Sequence, residues 1–215
     1  MDLGVGEVAP APHPGWLSVF RQLMKLRVIA LLQVTAICAI LVHDLITPLE
    51  RTWLDTMTTI LITVVGGTLS AGGSNAINMW YDADIDPLMR RTKNRPVPQG
   101  HISPQGALMF GTTIAILGSS LFLLVSWKAA FWSFFSVAFY VLIYSIWLKR
   151  RSPQNIVIGG IAGATPPLIG WAAAAGDSIL ESTNPLALGS PIPWLFFALI
   201  FFWTPPHFWA LALYR

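Results

Sequence analysis

Only one cysteine, Cys38, occurs in the 215 residues, and it lies inside an apolar run. No intrachain disulfide or cysteine zinc site can be built from a single thiol. Charge is also scarce. Asp, Glu, Lys and Arg make up 11% of the chain, against about 25% in a soluble domain. A further 54% is hydrophobic, and mean hydropathy is +0.62. A soluble globular protein is excluded, and a polytopic membrane protein is expected. No Walker loop, G-x-G-x-x-G or Ser-His-Asp arrangement is found. The first sixteen residues, "MDLGVGEVAPAPHPGW", hold two acids and no Lys or Arg. They fit neither a signal peptide nor an Arg-rich transit peptide.

What is abundant is long apolar runs. A bilayer-spanning helix needs roughly 20 mostly apolar residues, and six runs qualify: about Val28–His43, Met57–Trp80, Gly106–Trp127, Ala129–Leu148, Ile156–Ala175 and Ile192–Tyr214. The fold class is therefore all-α, a polytopic transmembrane bundle. Trp53, Trp80, Trp127, Trp147, Trp171 and Trp194 fall near span ends, as an interfacial aromatic belt would. Residues 1–20 read as a disordered arm, with "WLSVFRQLMKLR" as an amphipathic lead into the first span.

The bases orient the bundle. Arg21, Lys25 and Arg27 precede span one. Arg90, Arg91, Lys93 and Arg95 follow span two, Lys149, Arg150 and Arg151 follow span four, and Arg215 follows span six. Only Arg51 and Lys128 lie on the other side. The positive-inside rule then puts the N-terminus and both even loops in the cytoplasm. His13, His43 and His101 are expected to be exposed. Span five contains "GGIAGATPPLIGW" and span six "FFWTPPHFW"; both carry helix breakers, tolerated within membranes where neighbours or cavity water satisfy the freed carbonyls. Gly66, Gly67, Gly72 and Gly73 in span two suit close helix packing, or else room for a ligand.

The chemistry concentrates in "NMWYDADIDPLMRRTKNRP", Asn78 to Pro96. Asn78, Asp82 and Asp86 are spaced i, i+4, i+8, a drift of about 80° around a helix, so they share one face. Asp84 lies on the other. Pro87 should end the helix near Asp86. Carboxylates at a helix C-terminus are unfavourable alone. A divalent cation reverses that, since Mg²⁺ binds through one or two carboxylates plus substrate phosphates. The bases that follow, Arg90, Arg91, Lys93 and Arg95, suit phosphate oxygens. One reading is a diphosphate site; the other is a solvated interfacial loop with topology-setting bases. "YSIWLKRRSPQN" places Tyr144, Lys149, Arg150, Gln154 and Asn155 on the same side. They are either further pocket residues or an aromatic interface plus topology charges. His207 is either a substrate contact or a packed histidine.

These residues resemble the UbiA superfamily of intramembrane prenyltransferases. Its first acidic motif, N-x-x-x-D-x-x-x-D, falls on Asn78, Asp82 and Asp86. The segments "RRTKNRPVPQG", "LKRRSPQNIVIGGIAGATPPLIGW" and "FFWTPPHFWALALYR" resemble its haem branch, and the match runs from about Arg21 onward. The resemblance implies a helical bundle, six spans here of a nine-helix fold, with residues 21–215 forming the N-terminal part of the domain. It implies transfer of farnesyl from farnesyl diphosphate to a vinyl group of haem b, giving haem o for terminal oxidases. Mg²⁺ is the implied cofactor, held with diphosphate by Asn78, Asp82 and Asp86 as the catalytic set, Asp82 and Asp86 being the metal residues. Arg90, Arg91, Lys93, Arg95, Tyr144, Lys149, Gln154, Asn155 and His207 are assigned to substrate. Implied partners are farnesyl diphosphate, haem b, membrane lipid, and haem a synthase or terminal oxidase assembly proteins; no nucleic acid partner is expected. The implied location is the bacterial inner membrane. The family pattern continues past "ALALYR" into a second acidic motif, so the chain is expected to be a C-terminally shortened member. A cation transporter and a non-catalytic assembly subunit are the competing readings.

Overall fold

The structure is a computed structural model, and it describes residues 15–47, 51–176 and 183–213. Among these, six helical segments are long and apolar enough to cross a membrane. Helix α1 (Trp16–Met24) leads into α2 (Leu26–Ile46), followed by α3 (Trp53–Tyr81) and α4 (Pro104–Leu121). Helix α5 (Trp127–Ala138) continues as a π-helix over Phe139–Leu148. Then come α6 (Asn155–Ala164), α7 (Pro166–Ala175) and α8 (Ile192–Leu213). No strand occurs among the described residues. The arm boundary at residue 20 falls inside α1, which buries Val19 and Leu23 and leaves Trp16 and Leu17 in the open. Residues 1–14, His13 among them, and Tyr214 and Arg215 lie outside the described residues.

Local signals set the helix ends. Thr52 and Asp55 form a reciprocal capping box at the start of α3, satisfying two N-terminal amide groups. Ser103 accepts from Gly106 N at 3.0 Å, with Pro104 in the first turn of α4. Ser126 caps α5, so Trp127 opens the fourth span instead of closing the third.

The glycines pack. A Cβ added to Gly66 would meet the Gly118 carbonyl at 2.8 Å, and one added to Gly118 would meet Ser70 N at 2.5 Å. Gly73 and Gly111 meet in the same way two turns along. Bare backbone lets α3 and α4 approach closely, which is how apolar helices associate without a hydrophobic drive. Gly72 makes room for Met24 instead, and Gly67 for Gln33.

The two proline pairs behave differently. Span five does break at Thr165, between α6 and α7. Pro166 removes the donor that would serve the Ala162 carbonyl, and the hydroxyls of Ser136 (3.2 Å) and Thr165 (2.8 Å) replace it. Span six does not break: α8 runs through Pro205 and Pro206, while the Thr204 hydroxyl bonds back to the Ile200 carbonyl at 2.7 Å. In span five such hydroxyls replace the lost donor, which is how membrane helices tolerate proline.

Two sequence expectations are corrected at the membrane face opposite the acid motif. His43 is buried, edge-on to Trp171 at 5.0 Å and 3.1 Å from Asp44 Oδ1. It belongs to a clasp in which Arg51 reaches Asp44, Thr59 and the Ala174 carbonyl. Burial is affordable because the imidazole is paired. Trp171, expected in the aromatic belt, is core: it is buried, and its indole N–H donates to the Leu188 carbonyl at 3.0 Å. By contrast Trp53 and Trp147 are exposed as the belt requires.

Candidate functional site

The end of α3 begins the site. Regular helix stops at Tyr81, five residues short of Asp86, yet the chain keeps helical pitch. Asp82 N bonds the Asn78 carbonyl at 3.0 Å and Asp86 N bonds the Asp82 carbonyl at 2.9 Å. Asn78, Asp82 and Asp86 therefore remain on one side, and all three are buried. Asp84 points away, its side chain 61% exposed.

Each acid has its own base. Asp86 receives Arg95 Nη1 at 2.7 and 2.9 Å on its two oxygens. Asp82 Oδ2 receives Asn78 Nδ2 at 2.8 Å and the Lys149 ammonium. Asp82 Oδ1 is buried and without a hydrogen-bond partner. Such an oxygen carries a desolvation cost that a bound cation would remove. Asp84 pairs with both Arg150 nitrogens, at 2.8 and 2.6 Å, and Arg150 also lies over the Tyr81 ring. These bonds hold the Asp84 carboxyl below the usual carboxylate range and raise the Arg150 guanidinium.

The π-helix supplies the opposite wall. Its wide turns, with hydrogen bonds to the fifth residue back, place Ser145 Oγ on Asn78 Oδ1 at 3.0 Å and on the Tyr140 carbonyl at 2.9 Å. Lys149 N completes the pattern on the Tyr144 carbonyl. π-Segments are frequent at functional sites. The Tyr144 ring is half-buried beside Tyr140, 5.2 Å between centroids, and rests on bare Gly159. Asn155 Nδ2 bonds the Lys149 carbonyl at 3.3 Å and so steadies the lysine.

The structure thus gathers Asn78, Asp82, Asp86, Arg95, Lys149, Tyr144 and Asn155. Arg90, Arg91 and Lys93 are exposed and form no bond to the acids. Gln154 is exposed and precedes α6. His207 is exposed on α8, stacked on Trp203 at 4.3 Å.

Two neighbours of the acid cluster escaped sequence reading. Ser145 offers no motif, and only the π-helical register brings it to Asn78. Lys25 looked like a topology charge. It is half-buried in the turn between α1 and α2, within electrostatic reach of Asp82, Asp86, Arg95 and Lys149. Burial, then repulsion by Arg95 and Lys149, pushes its ammonium down to about 8, with Asp82 and Asp86 opposing. No sequence signal separates it from its neighbours Arg21 and Arg27.

Above the acids lies a small cavity of about 60 Å³ lined by Gln33, Thr63, Ser70, Ser74, Ser133 and Ser136. Ser74 sits one turn before Asn78 on α3.

A helical bundle with a carboxylate and base cluster at one bilayer face defines a multi-pass integral membrane protein with a polar site at its rim. The model of the UbiA prenyltransferase family matches residues 34–215, and the chain belongs to that family. It is 44% identical over 214 residues to the protoheme IX farnesyltransferase of Bartonella tribocorum, covering 99% of this chain and 63% of that protein. It is 47% identical to the protein of the same name from Bartonella henselae, covering all of this chain and 62% of the relative. The chain thus spans a little over three-fifths of the length of these relatives. Two solved structures share the fold. A digeranylgeranylglyceryl phosphate synthase structure aligns at TM-score 0.66 and 20% identity, covering 86% of this chain and 58% of the other. A UbiA homolog from Aeropyrum pernix aligns at TM-score 0.57 and 23% identity, covering 80% and 59%.

Proposed function

We propose that the chain takes part in transfer of a farnesyl group from farnesyl diphosphate to a vinyl group of haem b, giving haem o. The observation that carries this is the buried, unpartnered Asp82 Oδ1 beside Asp86 and two bases. Relatives matching nearly the whole chain bear the name protoheme IX farnesyltransferase, which supplies the substrate reading.

No cluster of three potential metal ligands occurs among the described residues. A single Mg²⁺ does not require one, because diphosphate oxygens and water complete its shell. Asp82, whose Oδ1 is open, and Asp86 beside it would hold the ion. The metal supplies Lewis-acid stabilisation of the leaving diphosphate.

This chain's residues do the rest. Lys149 and Arg95, paired with the two acids, would serve as fixed donors that stabilise the departing anion. Asn78 is held by Ser145 and in turn orients Asp82. Leu32, Phe122, Val137 and Ile169, which also line the cavity, would keep water from an allylic cation, and the Tyr144 face can stabilise it. The nucleophile is the vinyl carbon of haem b. The acids lie at the end of α3 instead of mid-bilayer, which disfavours the transport reading.

The reading extends to a bacterial inner membrane with a cytoplasmic N-terminus, and to haem a synthase or terminal oxidase assembly proteins as partners. Its test is binding of farnesyl thiodiphosphate to the purified chain with and without Mg²⁺, followed by haem o measurement in a synthase-deficient strain. Mg²⁺-independent binding unaffected by Asp82→Ala would reject the site.

A further inference from the structure

Lys25 is the only non-glycine residue with positive φ among the described residues, at φ 56 and ψ 53. A side chain makes the left-handed region costly, which is why glycine or asparagine usually occupies a helix end of this kind. A residue kept in such a conformation points to function when its surroundings enforce it. Here they do. Asn75 Nδ2 bonds the Met24 carbonyl at 3.0 Å, and the Met24 side chain fills the space left by Gly72. Helix α3 thus grips the turn just before the two turns that carry Asn78 and Asp82.

The charge count points the same way. Asp82 is taken by Lys149 and Asp86 by Arg95. Lys25 belongs to none of the ion pairs among the described residues. Three cations therefore lie within electrostatic reach of two carboxylates that are already matched. A third ammonium, half-buried beside two like charges, is unfavourable until an anion arrives. Lys25 also borders an open cleft with Ser18, Gln22, Arg21 and Arg27, so an anion has access.

We propose that Lys25 binds the substrate diphosphate, with the left-handed turn between α1 and α2 forming a third wall of the site beside Arg95 and Lys149. This rests on reading the acid motif as a diphosphate site. The strained turn places a base that neither helix would present in regular conformation. A purely architectural turn would be better served by glycine.

The test uses the purified 215-residue chain, farnesyl thiodiphosphate and Mg²⁺, with Lys25→Gly, Lys25→Arg and Asp82→Ala. Losing one charge-assisted contact should weaken binding about tenfold or more in Lys25→Gly, while thermal stability is equal to or above wild type. Lys25→Arg should stay within about threefold. Lys25→Asn, which tolerates the same backbone, should repeat the glycine result if Lys25→Gly fails to fold. Wild-type affinity in Lys25→Gly or Lys25→Asn, with binding lost in Asp82→Ala, would overturn the role of Lys25 and leave the site intact. Binding lost in Lys25→Arg as fully as in Lys25→Gly would show that charge is not what matters, and would also overturn it. No Mg²⁺-dependent binding by wild type would overturn the diphosphate reading itself, and this inference with it.

Discussion

Lys149 meets Asp82 across 67 residues of sequence, its ammonium on Oδ2, while Oδ1 of the same carboxylate stays buried and unpartnered. One oxygen is satisfied by the fold and the other is held open. Removing the lysine should strand a buried charge, which costs about 3–5 kcal/mol when a pair is broken on one side. Lys149→Met is therefore expected to be strongly destabilised in detergent, and Lys149→Met with Asp82→Asn to recover most of the loss. Simple additivity of the two changes in a thermal-unfolding cycle would contradict the pairing.

Asp82→Ala and Asp86→Ala should each abolish Mg²⁺-dependent binding of farnesyl thiodiphosphate. Asp84→Ala should change it less than about threefold, because an exposed ion pair contributes little. Equal losses at all three aspartates would refute the shared buried face.

Binding should also depend on pH through Lys25, whose ammonium is lowered from 10.5 to about 8. Below that value both folded and unfolded chains keep the proton, and the burial penalty is fully present. As pH rises from there towards 10.5 the folded chain gives up the proton first, so the penalty on stability is relieved. Diphosphate affinity should move the other way, falling as Lys25 turns neutral beside Asp82, Asp86, Arg95 and Lys149. Lys25→Arg should flatten the fall, since a guanidinium stays charged. An unchanged slope in that variant would assign the pH dependence to another group.

The α3–α4 contact depends on bare backbone. Gly118→Ala brings a Cβ within 2.5 Å of Ser70 N, and overpacking of this kind typically costs about 1–3 kcal/mol. Gly163→Ala, where nothing lies within 4 Å of the added carbon, should be tolerated. Equal melting temperatures for the two variants would argue against the close approach.

The loop after α3 should face the cytoplasm. In a Cys38→Ser background, a cysteine at exposed Gln99 should resist a membrane-impermeant thiol reagent in intact cells and react after lysis. Labelling before lysis would reverse the orientation.

The sequence by itself determined the number of spans, the aspartate spacing that survives the end of regular helix, and the presence in span two of glycines suited to close packing. Each is a local property: hydrophobic length, a period of 3.6 residues, or the absence of a Cβ. Tertiary structure alone decided which bases meet which acids. Arg95 turns back to Asp86 while Arg90 and Lys93 stay exposed, although all three lie in one short run. Lys149 reaches Asp82 because a π-helix shifts the register of its wall, and Lys25 joins because α3 pins a left-handed turn. Tertiary structure also buried His43 and Trp171, carried α8 through its prolines and left His207 outside the cluster. The reason is the solvent. In a bilayer every face of a span is apolar, so hydropathy marks where a helix crosses but not which side meets another helix. Only packing, and the need to pair each buried charge, selects that side.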